Sequence, residues 1–482
     1  MSTALETRAE IIKLARVLAA PPEQLAYLER AAPKDLRTLR EQATDALFEG
    51  DRDRLRKLAL ASRILPSAIG ATIARWALGP LLSARVTGLL DPSKAVDLAK
   101  RLPAAFLADI AIDLDPRRAR EVIERIPAWQ VGEVAAELAR RNEHVAMGRF
   151  VGYLDDEAIG AAIEQLDDAS VLRVAFVMED KDRLDHILGL IPDQRMAGIL
   201  KAAERERLWP EALDLLDNMS DQRKGALAEL AAAQGLLESL AESAYANGLW
   251  DVVLPVIPLM SEASKAILGR LPIVEDTAAL ASILDAAGEH DLWAALLPLV
   301  DHLPAGPRNQ VAALGATLDQ TVLEHIVDLV NDGDLWSMFV PLAADHMDAV
   351  GRERVAQVIA GVKATVINGM ADAVDRDSLW PELLRIAETM RADQLDRIAD
   401  RLLQAGLEDR LPSLIAAADQ TGLWEPGLRI LGGLTPTLQQ RLAPVAATLS
   451  AEERALVAAK ARDLGLLDKL GPIGTVLAGA SD

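Results

Sequence analysis

The sequence predicts an all-α fold, an α-solenoid of short-helix repeats, on three observations. Its 482 residues are 51% hydrophobic but only 3% aromatic. The core must therefore be built from Leu, Ala, Val and Ile, a mixture rich in strong helix formers. A Leu-Trp pair recurs at nearly constant spacing through the second half. A shorter beat of Leu-Asp and Leu-Pro turns runs ahead of it.

Residues 1–90 are expected to form an N-terminal helical cap. Breaks at Pro21-Pro22 and Pro33 divide residues 1–50 into helices packed on the starting end of the array. From Arg52 to Leu90 the basic residues Arg52, Arg54, Arg56, Lys57, Arg63, Arg75 and Arg85 face a single acid, Asp53. Ile64 to Leu90 is almost free of other polar groups and predicts two short helices divided at Gly79-Pro80. At helical spacing Ile69, Ile73 and Trp76 share one face, and Leu82, Val86 and Leu89 or Leu90 share another. A basic rim beside an apolar hairpin suits contact with an anionic membrane surface. It also suits a terminal repeat, which must cover its neighbour's core, and the terminal repeat is the expectation. Arg54, Arg56, Lys57, Arg63, Arg75, Trp76 and Arg85 are the candidate interaction residues.

Residues 91–207 follow the shorter beat. Leu90-Asp91-Pro92 returns 24 residues later as Leu114-Asp115-Pro116, and Leu102-Pro103 returns as Ile126-Pro127. Leu154-Asp155-Asp156 and Leu166-Asp167-Asp168 lie 12 apart, and Ile191-Pro192-Asp193 continues the series. Each step predicts one short helix opened by an acidic cap or by Pro in its first turn, with pairs forming helical hairpins. With Ala119–Ile126 and Val134–Leu138, these residues make the segment from about 90 to 200 resemble the intracellular N-terminal domain of MgtE-type magnesium transporters. The resemblance implies a superhelix of short helices and regulation through domain contacts. The family's CBS and membrane domains have no counterpart in this sequence, so transport is not implied. The pairs Asp155/Asp156 and Asp167/Asp168 suggest either helix capping or a divalent cation, and capping is the expectation.

Residues 208–482 carry the repeat. Leu-Trp occurs at Trp209, Trp250, Trp293, Trp336, Trp380 and Trp424, at spacings of 41, 43, 43, 44 and 44 residues. A seventh copy at Leu466-Leu467 has lost its Trp and predicts a degenerate C-terminal cap. Each unit reads as three helices. In the one opened by Leu249 these are about Leu249–Met260, Ser261–Leu271 and Thr277–Ala287, with Gly288 as the stop. Gly333 likewise follows a third helix, Pro307 starts a second, and Ser450 with Glu453 makes a capping box. A single unit cannot cover its apolar face, whereas stacked copies can. The six tryptophans are therefore expected to be buried at the joints between neighbouring units, each wedged against the unit before it; the alternative is an exposed aromatic ladder that binds a ligand. Pro255, Pro298 and Pro341 sit five residues after a Trp, where a proline kinks the helix, and mark residues 250–350 as a stretch that a partner could fit.

The net charge of −22 argues against nucleic-acid binding, which needs a positive footprint. Residues 1–130 nevertheless carry 21 basic against 17 acidic side chains. With no cysteine, disulfides and thiolate chemistry are excluded. The polar start and the interrupted apolar stretches predict a cytoplasmic protein. No phosphate loop, nucleophile elbow or zinc-protease motif occurs, so no catalytic residue, cofactor or metal is assigned. His290, His302, His325 and His346 form only a weak metal candidate. The expected function is that of a non-catalytic scaffold or adaptor binding a protein partner along its repeats. A peripheral membrane or lipid-handling protein using residues 52–90, or a cation-responsive regulator, are the alternatives.

Overall fold

The computed structural model describes residues 3–49, 52–62, 64–404 and 410–479, and these are helical with no strand. Among the described residues no helix is long and apolar enough to cross a membrane. The chain separates into two compact units, Met1–Ser261 and Glu262–Asp482.

In the first unit, α1 (Thr3–Val17) and α2 (Pro33–Glu49) form a hairpin, followed by α3 (Arg52–Ser62), α4 (Ser67–Ile73) and α5 (Gly79–Thr87). A π-helical turn, Ala74–Leu78, extends α4 to Gly79, whose φ of 71° turns the chain into α5; glycine adopts that angle without a Cβ clash. The break at Gly79-Pro80 thus lies where the sequence places it. The 24-residue beat then gives α6 (Pro92–Ala99), α7 (Ala104–Asp113), α8 (Arg120–Ile123) and α9 (Ala128–Arg140). Alternate members pair: α5 with α7, α7 with α9, and α9 with the helix Asp156–Gln165. Residues 3–49 do not simply extend this row at its start. Helix α1 lies against α-helices much further along the chain, His144–Phe150, Asp168–Val177 and Trp209–Asp214.

Ion pairs join this N-terminal hairpin to later parts of the chain. Arg16 pairs with Glu143 at 2.9 Å, Arg40 with Glu179 at 2.7 Å, and Asp45 with Arg118 at 2.8 Å. Beneath them Glu10, Lys13 and Arg40 are buried together, with Glu10 2.9 Å from Lys13 and 3.3 Å from Arg40. Burial pushes the Glu10 carboxyl up, but Lys13, Arg40 and Arg37 outweigh it and hold the group below its ordinary range. Charges removed from water need such partners to remain charged.

The Leu-Trp repeats span the end of the first unit and all of the second. The copy at Trp250 comprises Trp250–Val253 with a 3-10 turn Leu254–Leu259, then Glu262–Leu268, a 3-10 turn Pro272–Glu275, and the α-helix Thr277–Glu289. The copy at Trp336 comprises Trp336–Pro341 with a π turn Leu342–His346, then Ala349–Gly361 and Ala364–Asp377. Three helices per unit is the expected count. Two of the three prolines do break α geometry: Pro255 lies in the 3-10 turn and Pro341 precedes the π turn, whereas Pro298 sits inside Trp293–Val300. One of the two glycine stops needs correcting: Gly288 lies within Thr277–Glu289, and the left-handed residue ending that helix is Asp291, φ 55°. Gly333 does follow the third helix, Gln320–Asp332, as expected, but with φ −89°, and the left-handed residue is Asp334, φ 51°.

These left-handed residues form a series. Arg207, Gly248, Asp291, Asp334, Ser378 and Gly422 each directly precede a Leu-Trp pair and have φ between 51° and 73°. The Leu N–H then reaches back over the turn, as from Leu208 to the Ala203 carbonyl at 2.7 Å and from Leu335 to that of Val330 at 2.8 Å. This is the helix-ending motif that satisfies carbonyls otherwise left without partners. The degenerate seventh copy keeps it, with Gly465 at φ 64° and Leu466 bonded to Ala461 at 2.8 Å.

Candidate functional site

The tryptophans and the basic hairpin separate cleanly. Trp209, Trp250, Trp293, Trp336, Trp380 and Trp424 are all buried, between 1% exposed at Trp336 and 7% at Trp424. Each opens a helix capped by its companion Leu. The ring of Trp336 meets that of Phe339 edge-on, with centroids 6.0 Å apart. Trp380 donates its indole N–H to Asp375 at 2.8 Å and Trp424 to Asp419 at 3.2 Å, each on the preceding helix, whereas Trp209 reaches Ser239 at 3.1 Å. The indole N–H groups of Trp250 and Trp336 are buried without a partner. No aromatic ladder is presented to solvent by this set.

Trp76 behaves oppositely, being 78% exposed. It stands at the end of α4 with Ile69 and Ile73, the face that the helical spacing assigns, and all three are exposed. Ile64 (87% exposed), Leu60 at the end of α3 and Leu82 in α5 are exposed as well, whereas Leu81, also exposed, lines a cavity with Arg85. Arg56, Lys57 and Arg75 are exposed in the same stretch, and the Arg75 guanidinium lies 5.3 Å from the Trp76 ring centroid. Such stacking keeps the cation close to an apolar surface without burying it. The Arg54 side chain and all of Arg63 lie outside the described residues.

Arg85 belongs elsewhere. It is half-buried and lines a polar cavity of about 380 Å³ with Arg16, Arg118, Arg149, Asp113 and Asp115. There burial pushes the Asp113 carboxyl up, while burial pushes the Arg149 guanidinium down against the pull of Glu179 and Asp115. Arg85 is thus removed from the hairpin's basic rim. The reason is period: helical spacing from Arg75 crosses Gly79, where the change of direction resets which face looks outward.

A second feature, unannounced by any motif, is an apolar cavity of about 360 Å³ within residues 58–191. Ser83, Thr87, Lys94 and Gln130 are the polar members of a wall otherwise made of Leu, Ile, Val, Ala, Met, Phe and Gly. The exposed members of the wall are Leu58, Ala61 and Ile73, which all belong to the hairpin region. The cavity therefore opens beneath the apolar surface around Trp76. At that end the Lys94 ammonium donates to the Leu65 carbonyl and makes no ion pair among the described residues. Deeper in, one polar atom each of Ser83 and Gln130, the hydroxyl and the amide oxygen, is buried without a partner.

The acidic pairs act as caps. Asp155 accepts from the Ala158 N–H at 2.8 Å and Asp167 from that of Ser170 at 2.7 Å, a bond that holds the Asp167 carboxyl below its ordinary range. Asp156 pairs with His186 at 3.0 Å and Asp168 with Arg195 at 3.5 Å. Three of the four histidines in the second unit find separate partners: His302 meets Glu262 at 2.9 Å, His325 meets Asp291 at 2.9 Å, and His346 meets Asn309 at 2.6 Å. Among the described residues no three metal-ligating side chains gather. Between 250 and 350 the large apolar side chains at the surface are Ile267 and Val350.

No protein-family model matches the chain, and a search of the curated proteins finds nothing similar.

Proposed function

We propose that this chain is a non-catalytic helical-repeat protein that binds an anionic membrane surface, on the cytoplasmic side, through the hairpin of residues 56–82. The observation that carries this reading is the run of exposed apolar side chains Ile64, Ile69, Ile73, Trp76 and Leu82 within nineteen residues, with Arg56, Lys57 and Arg75 exposed in the same stretch and Arg75 stacked on Trp76. Single exposed apolar side chains are ordinary, but so many in one short stretch with exposed cations is the composition of an interfacial anchor. Anionic headgroups would attract the cations at roughly 1 kcal/mol each, within about 10 Å. The chain's overall charge of −22 opposes approach by any other face. A protein partner along residues 250–350 is the competing reading, and there Ile267 and Val350 stand singly. The likeness of residues 90–200 to the transporter domain adds a precedent for the fold of this segment and nothing for transport.

Flotation with vesicles of phosphatidylglycerol and phosphatidylcholine tests the reading. The chain should float with these vesicles, lose most binding in high salt, and stay behind with phosphatidylcholine alone. Ile69→Asp with Trp76→Asp should abolish flotation while leaving the circular dichroism melt unchanged, since neither side chain contributes to the core. Equal flotation of that variant and the parent would end the proposal.

A further inference from the structure

From the mouth at Leu58, Ala61 and Ile73, and from Lys94, we infer that the apolar cavity of the first unit binds one long-chain carboxylate, its acyl chain in the cavity and its head on Lys94. This names the ligand class for a lipid-handling role but does not depend on vesicle binding. Three observations support it. The wall is apolar almost throughout, with one unpartnered atom each on Ser83 and Gln130, so a ligand with many polar groups would lose its water for few partners. At about 360 Å³ the cavity is within the range of about 300–1,000 Å³ usual for small-ligand sites, and near its lower end. That suits one chain rather than a two-chain lipid. Among the described residues Lys94 is the one charged side chain in the wall, half-buried and with its ammonium donating to the Leu65 carbonyl. An ammonium has three donors, so positions remain for an anionic head.

The geometry also orders the two ends. Leu65 lies between the exposed Ile64 and Pro66 and lines the cavity, which places the Lys94 ammonium on the hairpin side. The far wall, formed by residues such as Leu138, Ile159, Leu166 and Ile187, is buried. A carboxylate at Lys94 would leave its chain to run inward, away from water. The apolar hairpin provides a path into the site that keeps the chain covered.

Titration of the full chain with dansyl-undecanoic acid, without vesicles and below micelle formation, tests this. Emission should rise to saturation at one probe per chain and fall when palmitate is added. Hexadecanol, with the same chain and no charge, should compete about ten- to a hundredfold more weakly, the worth of a hydrogen bond to a charged group. In Lys94→Gln the two competitors should become equal. Ala162→Phe and Ala175→Phe, which place rings in the cavity, should each reduce binding, and their melts report whether they fold. Absence of saturation in the parent chain overturns the site. Equal competition by palmitate and hexadecanol in the parent, or no effect of Lys94→Gln, overturns the head-group assignment. Probe binding untouched by both folded Phe variants overturns the location. Loss of vesicle flotation with probe binding intact would remove the membrane reading alone.

Discussion

Trp336 and Trp380 occupy the same place in their repeats and differ in one bond. Both are buried, but Trp380 donates to Asp375 at 2.8 Å while the Trp336 N–H has no partner. A buried polar group left unmatched costs more than its hydrogen bond is worth when made. Trp336→Phe should therefore lower the urea midpoint less than Trp380→Phe, which also leaves the Asp375 carboxylate without its indole donor. Trp336→Ala should cost about 3–5 kcal/mol through the cavity it opens. A second residue-scale expectation concerns Ser378, held at φ 58° where glycine stands in the copies opened by Gly248 and Gly422. A left-handed non-glycine residue costs about 1–2 kcal/mol, part of which the added chain entropy of glycine offsets. Ser378→Gly should thus raise the melting temperature, and a fall would show that its hydroxyl matters more than its backbone. The tryptophan grid was legible because a large rare side chain marks a register. The left-handed residue before it was not, since Arg207, Asp291, Asp334 and Ser378 carry no common chemistry.

At the scale of elements, the N-terminal hairpin is held by groups whose charge depends on pH. Glu10 has its folded pKa below the ordinary value of 4.5, so the unfolded chain binds its proton first as pH falls. Its contribution is present above the unfolded pKa and is lost as pH drops through the folded one. Hydrogen exchange of α1 should accelerate as pH is lowered below 4.5, after correction for the intrinsic rate, and Glu10→Gln should remove that dependence. The same substitution leaves Lys13 and Arg40 buried with one partner fewer, and breaking such a pair costs about 3–5 kcal/mol. Protection of α1 unchanged in Glu10→Gln would mean that packing alone holds the helix. Elsewhere capping decides where helices begin, as the acidic beat foretold. Asp167→Ala should cost about 0.5–2 kcal/mol, and magnesium should not shift the melt of either form. The docking of α1 on helices more than a hundred residues away left no trace in the sequence. Ion pairs such as Arg16–Glu143 and Arg40–Glu179 are ordinary charges until the chain folds.

At the scale of the molecule, a chain of −22 that binds anionic lipid must do so through a local excess of cations. Reversing three of them, Arg56→Glu, Lys57→Glu and Arg75→Glu, should abolish flotation with anionic vesicles at every salt concentration. Binding of dansyl-undecanoic acid should survive in that variant, because Lys94 and the cavity wall are untouched. The two compact units meet in sequence at Ser261 and Glu262, inside the repeat opened by Leu249. The period of the repeat and the boundary of compactness therefore do not coincide. Contact follows which helices cover one another, and a repeat's phase in the sequence is free to be drawn at any of its three helices.

The helical class, the count of three helices per repeat, the burial of the six tryptophans and the capping by Asp155 and Asp167 were all determined by the sequence. Each follows from periodicity or from bonds made within a few residues. Tertiary structure alone decided that Arg85 faces a polar cavity, that α1 crosses to distant helices, and that the apolar wall behind Ile73 encloses a space. Those outcomes depend on how closely separate helices approach. A pattern of apolar residues says which faces are covered, and it is silent on whether the covering is complete.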